Sequence, residues 1–177
     1  MRGRGRGKAN KGTLAVMFSA MTLLVVFLAN IAPAGRVALF FVSSIFIMGI
    51  MQERMFVSAF VSFGVVCFLG FILAPDKAGM IPYLVFFGHY GIFKYAVESG
   101  TRGATAITLK LVYYNLCMAV LYFFGGGYML APLPDMPWWL LLILAEVIFI
   151  AYDFIFTKLS GWYYANIRSR LLGGSWV

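Results

Sequence analysis

Six apolar runs, separated by short polar or Pro/Gly-rich breaks, organise the chain. The first, 13–31, stops at Ala32-Pro33-Ala34-Gly35, where proline disfavours helix in the residue before it and glycine favours chain reversal. Arg36 opens the second, 37–52, which is short for a hydrocarbon core of ~30 Å. Its length predicts either local thinning of the bilayer or a helix set deep among its neighbours. Glu53-Arg54 is a minimal polar turn before the third run, 55–73, which Ala74-Pro75-Asp76-Lys77-Ala78-Gly79 ends. The fourth, 81–98, places Pro82 in a first turn, where proline is tolerated. Ser99-Gly100-Thr101-Arg102-Gly103 leads to the fifth, 105–124, which Gly125-Gly126-Gly127 is expected to break. The sixth starts at Pro137-Trp138-Trp139, an interfacial aromatic pair, and continues to about residue 156 or beyond, with Trp162, Tyr163 and Tyr164 marking the opposite interface. The expected fold is an all-α membrane protein, a bundle of six transmembrane helices.

Composition agrees, since 63% of residues are hydrophobic, 18% aromatic and only 11% charged, against roughly 25% charged in a soluble domain. No polar stretch is long enough for a separate soluble domain. The expected division is a basic N-terminal tail at 1–12, one transmembrane domain at 13–164 and a C-terminal tail at 165–177. The net charge of +8 is concentrated at the ends, with Arg2, Arg4, Arg6, Lys8 and Lys11 all before the first run. That tail reads first as a topology signal and second as a contact for anionic lipid; nucleic acid comes last. Cys67 and Cys117 lie in apolar runs and read as small packing residues.

With six spans, Arg2, Arg4, Arg6, Lys8, Lys11, Arg54, Arg102, Lys158, Arg168 and Arg170 fall on one side, and Arg36 and Lys77 on the other. The positive-inside rule then puts both termini in the cytoplasm, in a bacterial inner membrane. The 125–136 connection, dense in Gly and Pro, faces outward as either a mobile cover or an ordinary surface loop. Ser58 and Ser62, one turn apart, form a small-xxx-small pair that lets another helix approach closely.

Ionisable residues inside these runs carry the functional question. A charge at the bilayer centre costs at least ~2.5 kcal/mol, so such groups face protein, water or a ligand. By helical rise, His89 and Asn115 fall near mid-depth, Glu146 somewhat outside it, and Lys94, Lys110 and Asp153 toward the cytoplasmic end. Depth pairs Asp153 with Lys94 or Lys110 as a structural tie, and Glu146 with His89 or Asn115. Lys94 also reaches Glu98 one turn on. Thr108, Asn115 and Tyr122 recur every seven residues on one helix face, which suits a small-molecule pocket or a bundle interior. The candidate substrate-binding set is His89, Tyr90, Asn115 and Glu146. No catalytic, metal or cofactor site is expected: there is one histidine, and H-E-x-x-H, G-x-S-x-G and G-x-x-x-x-G-K-[ST] are absent.

The segments PAGRVALFFVSSIF and FFGHYGIFKYAVE resemble small bacterial polytopic membrane proteins with a Pro-x-Gly-Arg turn after helix 1 and a Phe-Gly-x-Tyr…Lys element in helix 4. The six-span plan with short loops is similar to the S components of energy-coupling factor (ECF) transporters. The resemblance implies a solute-binding subunit that docks on a membrane coupling subunit driven by two separate ATPases. Such subunits commonly carry Ala-x-x-x-Ala on helix 1, where this chain has Ala15-x-x-x-Ser19; vitamin-specific motifs are absent, and the lone His89 excludes a cobalt or nickel type with N-terminal histidines. The alternative is a membrane interaction or assembly protein without transport activity. A proton-coupled carrier or channel is a third reading.

Overall fold

Backbone groups in a chain this apolar have little water to bond, so helices, which satisfy those groups internally, occupy nearly all of it. A computed structural model of the protein describes residues 3–130 and 137–167, and all of their regular elements are helical. The main helices are α1 (Gly3–Ile31), α2 (Arg36–Gln52), α3 (Phe56–Leu73), α4 (Gly88–Gly100), α5 (Ala104–Leu130) and α6 (Trp138–Trp162). Four segments, Lys11–Ile31, Phe56–Leu73, Ala104–Phe124 and Trp138–Trp162, are long and apolar enough to cross a membrane.

Several boundaries differ from expectation. Helix α1 begins at Gly3, so residues 3–12 of the expected tail continue the helix. Glycine costs only about 1 kcal/mol relative to alanine, and extending an existing helix requires no new nucleus. For the same reason Gly125-Gly126-Gly127 do not break α5, which continues to Leu130; residues 131–136 of the expected cover lie outside the described residues. A π-helical turn at Tyr163–Ile167 follows α6 directly.

Helix α2 is short because it is central. It packs on α1, α3, α4 and α6, burying Phe40, Ser43, Ser44, Ile47, Met48, Gly49, Ile50, Met51 and Gln52. The α1–α3 contact uses small residues, as lipid-embedded helices require for close approach. Ser19 donates to Ser62 at 2.6 Å, and Ala59, Ser62, Val66 and Gly70 form the buried stripe of α3. Ser62 of the Ser58/Ser62 pair therefore carries this contact, while Ser58 is only partly covered. Ala15 is buried as well, so the Ala15/Ser19 pair on helix 1 is used inside the bundle.

The segment before α4 is irregular. A 3-10 turn at Ala78–Met80 is followed by a π-helical turn at Tyr83–Phe87, in which the Gly88 N–H reaches the Tyr83 carbonyl five residues back. A β-carbon at Gly88 would stand 2.5 Å from the Phe63 ring and 2.9 Å from that carbonyl, so only glycine fits. Around this point aromatic rings fill the core: Phe40 packs on Tyr83 and Phe87, and Phe86 and Tyr90 pack on Phe149 and Tyr152. Such pairs each contribute about 0.5–1.5 kcal/mol beyond burial. Cys117 lies within this core and Cys67 against it, both as free thiols.

At one end the α1–α2 turn, where Gly35 takes φ +75°, meets the loop before α4. Arg36 pairs with Asp76 at 2.9 Å, and the other Asp76 oxygen accepts the Gly79 N–H. The opposite end gathers α2, α6 and the 14–18 stretch of α1: Phe18 packs edge-on against Tyr163, and Gln52 bonds Ser160.

Gly88→Ala is expected to lower stability by about 1–3 kcal/mol through overpacking. Gly64→Ala, where a new β-carbon meets nothing within 4 Å, serves as the neutral control. Thermal unfolding of both variants in detergent checks this, and equal midpoints would refute the tight-packing account.

Candidate functional site

Helical periodicity sets which charges meet. On α4, Tyr90, Lys94 and Glu98 are spaced four apart and share one side. On α5 the buried side runs through Ala106, Lys110, Tyr114, Cys117 and Leu121. On α6, Phe149, Asp153 and Phe156 face the same space.

Asp153 is the hub. Its Oδ1 accepts from Lys94 Nζ at 2.5 Å and from the Tyr90 hydroxyl at 2.6 Å, and its Oδ2 accepts from Lys110. Glu98 closes the ring, accepting from Lys94 at 2.6 Å and from Lys110 at 3.1 Å, while Lys94 also donates to Thr157 at 2.8 Å. Two lysines against two carboxylates leave the network neutral. Lys94 and Lys110 are only 3% and 6% exposed, so neither reaches an interface as a free snorkelling chain would. Depth alone offered Asp153 either lysine; the fold gives it both, and adds Tyr90.

The expected substrate-binding residues separate into three places. Asn115 Nδ2 donates to Glu146 Oε1 at 2.6 Å, bridging α5 and α6. Tyr90, fully buried, belongs to the Asp153 network. His89 pairs through Nδ1 with the Tyr113 hydroxyl and stands edge-on to Phe63 at 5.4 Å, joining α5 to α3, and has no contact with Glu146. The four residues therefore do not form one pocket. The Thr108, Asn115 and Tyr122 face of α5 is exposed, because the Ala106 to Leu121 side interdigitates with α4 and α6.

Between α5 and α6 the helices are held apart and meet through side chains. Tyr114 and Phe149 stack at 4.3 Å with an interplanar angle of 13°, and the Tyr114 hydroxyl donates to the Ala145 carbonyl. Toward Gly100 and Ala104 this spacing leaves an open groove of about 310 Å³ with a floor of Lys110, Asp153 and Thr157, walled by Ile107, Leu111, Ile150 and Phe154. A second groove of about 370 Å³, lined by Ile81, Leu84, Val85, Val120 and Phe124, is entirely apolar.

Among the buried polar groups that the sequence did not single out is a charged one. Glu53, read as part of a minimal polar turn, is 2% exposed and accepts from the Tyr163 hydroxyl at 3.4 Å. A Glu-Arg turn carries the same local pattern whether it is solvated or covered; only the return of the distant C-terminal segment buries it. Arg54 beside it adopts φ +58°, the left-handed conformation that closes this tight turn. No family model, curated protein or solved structure matches the chain.

Asp153→Asn leaves two buried lysines against one carboxylate and is expected to destabilise by about 3–5 kcal/mol. Adding Lys110→Met restores neutrality, so the double variant should unfold at a higher temperature than Asp153→Asn alone. A double variant that is worse than the single would show that the network is not governed by charge balance.

Proposed function

We propose that this chain is a non-catalytic subunit of a bacterial inner-membrane assembly, with six spans and both termini cytoplasmic, that docks on a membrane partner through its α5–α6 face. The observation that carries this reading is the exposed Asn115 beside half-covered Glu146, polar groups well inside the apolar runs on a face the described chain leaves open. Lipid cannot hydrogen-bond the atoms that this pair leaves over, Asn115 Oδ1 and Glu146 Oε2, and a membrane partner can.

Six spans follow if the short and the irregular helices are counted with the four long ones. Helix α2 has 17 residues, about 25 Å by helical rise, and residues 81–100 are continuously helical through the π turn, about 30 Å. Contact between Phe18 and Tyr163 supports a common side for the termini, and the cation excess on that side supports a cytoplasmic one.

A more specific form of the same reading is an S-component-like solute-binding subunit whose coupling subunit and ATPases are separate chains. The groove on Lys110, Asp153 and Thr157 favours it, because it offers both charges and a hydroxyl beside apolar walls. In this form the docking surface is not the Ala15/Ser19 pair, which α3 occupies. The solute would use the groove at Lys110, Asp153 and Thr157, with Asn115 and Glu146 outside its lining and His89 serving packing.

Purified protein screened against vitamins and metabolites separates the two forms. A solute-binding subunit gains thermal stability with one compound, and Asp153→Asn or Thr157→Val removes the gain. A flat response across the panel, together with retention of a membrane partner on purification that Glu146→Leu abolishes, identifies an assembly subunit without a solute.

A further inference from the structure

The donor and acceptor inventory of the α5–α6 face identifies what fits it. Of the two Asn115 Nδ2 protons, one goes to the Leu111 carbonyl at 3.0 Å and the other to Glu146 Oε1 at 2.6 Å. No donor among the described residues reaches Asn115 Oδ1 or Glu146 Oε2. At this contact the atoms left over are therefore two acceptors, one of them a carboxylate oxygen, and the exposed Tyr122 hydroxyl on the same side of α5 lies seven residues away, about 10 Å along the helix.

Charge tells the same story. Lys94 and Lys110 balance Glu98 and Asp153, and Arg36 pairs with Asp76, whereas Glu146 makes no ion pair among the described residues. Nor can it leave the membrane: it lies eight residues from Trp138, about 12 Å along α6, farther than a glutamate side chain reaches. Ionised at that depth, Glu146 calls for a cation from outside the described residues.

Three occupants fail on this chemistry. Acyl chains carry no donor. A second copy of the same face would set acceptors against acceptors and carboxylate against carboxylate. A small amine would be left half in lipid, because neither groove is lined by Glu146 or Asn115 and the surrounding Val112, Ile143 and Val147 are each more than half exposed. A helix covers both the pair and those apolar neighbours.

We propose that the α5–α6 face receives a transmembrane helix of another protein that carries a lysine or arginine near mid-depth, ion-paired to Glu146 and hydrogen-bonded to Asn115 Oδ1. This rests on the docking reading above and names the partner's chemistry.

The test uses the full-length protein in phosphatidylcholine vesicles with fluorescent synthetic polyleucine helices that carry a central lysine, arginine, aspartate or leucine. Energy transfer should show the lysine and arginine helices associating roughly tenfold more tightly than the all-leucine helix, the scale of one interhelical polar contact in a bilayer. Glu146→Gln should erase that preference and Glu98→Gln should keep it. Glu146→Lys should transfer the preference to the aspartate helix, a gain that a misfolded variant cannot imitate. Equal binding of all four helices overturns the basic-helix proposal and leaves docking at this face intact. Binding of none overturns both. Glu146-dependent energy transfer between two labelled copies, or displacement of the lysine helix by millimolar methylammonium, assigns the face to a second copy or to a small cation and also overturns the proposal.

Discussion

A single carboxylate holds the second half of this bundle together. Asp153 accepts from Lys94, Lys110 and Tyr90, and so ties α6 to both α4 and α5. The tie matters because α5 and α6 stand apart, with stacked Tyr114 and Phe149 filling the space between them. In lipid no hydrophobic force draws one apolar helix onto another, so association depends on packing and on polar contacts whose alternative is an unpaired charge in hydrocarbon. Removing one member of such a network exposes the remaining charges to that cost.

The first half is built differently. Helices α1, α2 and α3 approach closely through Ala15, Ser19, Ala59, Ser62 and Gly70, and α2 sits at the centre, where its shortness is compensated by neighbours on several sides. The bundle therefore joins a close-packed three-helix unit to a looser, charge-tied pair. The loose pair presents the groove at Lys110, Asp153 and Thr157 and the Asn115–Glu146 contact, which is why functional interest concentrates there. Within the close-packed unit the serines and small residues are consumed by intramolecular contacts.

The interior of the charge network and its outer neighbour differ in what they leave over. Lys94, Lys110, Glu98 and Asp153 satisfy one another, and their neutrality makes them a structural device that also forms a groove floor. Asn115 and Glu146 satisfy only each other's nearest atoms and leave acceptors facing away from the chain. A complete network fixes helix register; an incomplete one leaves acceptors without a donor among the described residues.

The sequence by itself determined the helical class, the apolar runs, the turns at Gly35 and Pro75 and the pairing of Asp153 with lysine, because these follow from hydrophobic length, turn chemistry and the cost of charge at depth. Triple glycine reads as a break and the Arg-Gly stretch as a basic tail, yet both are helical here, since local propensity of about 1 kcal/mol per glycine is weak beside the gain from extending a helix already formed. Only the tertiary structure decided azimuth: that Asn115 turns outward while Tyr114 turns in, that His89 meets Tyr113 instead of Glu146, and that Glu53 is buried beneath Tyr163. In a helix apolar on nearly every side, the sequence carries depth but little signal for rotation about the axis, and that rotation is set by how bulky rings from distant segments interdigitate.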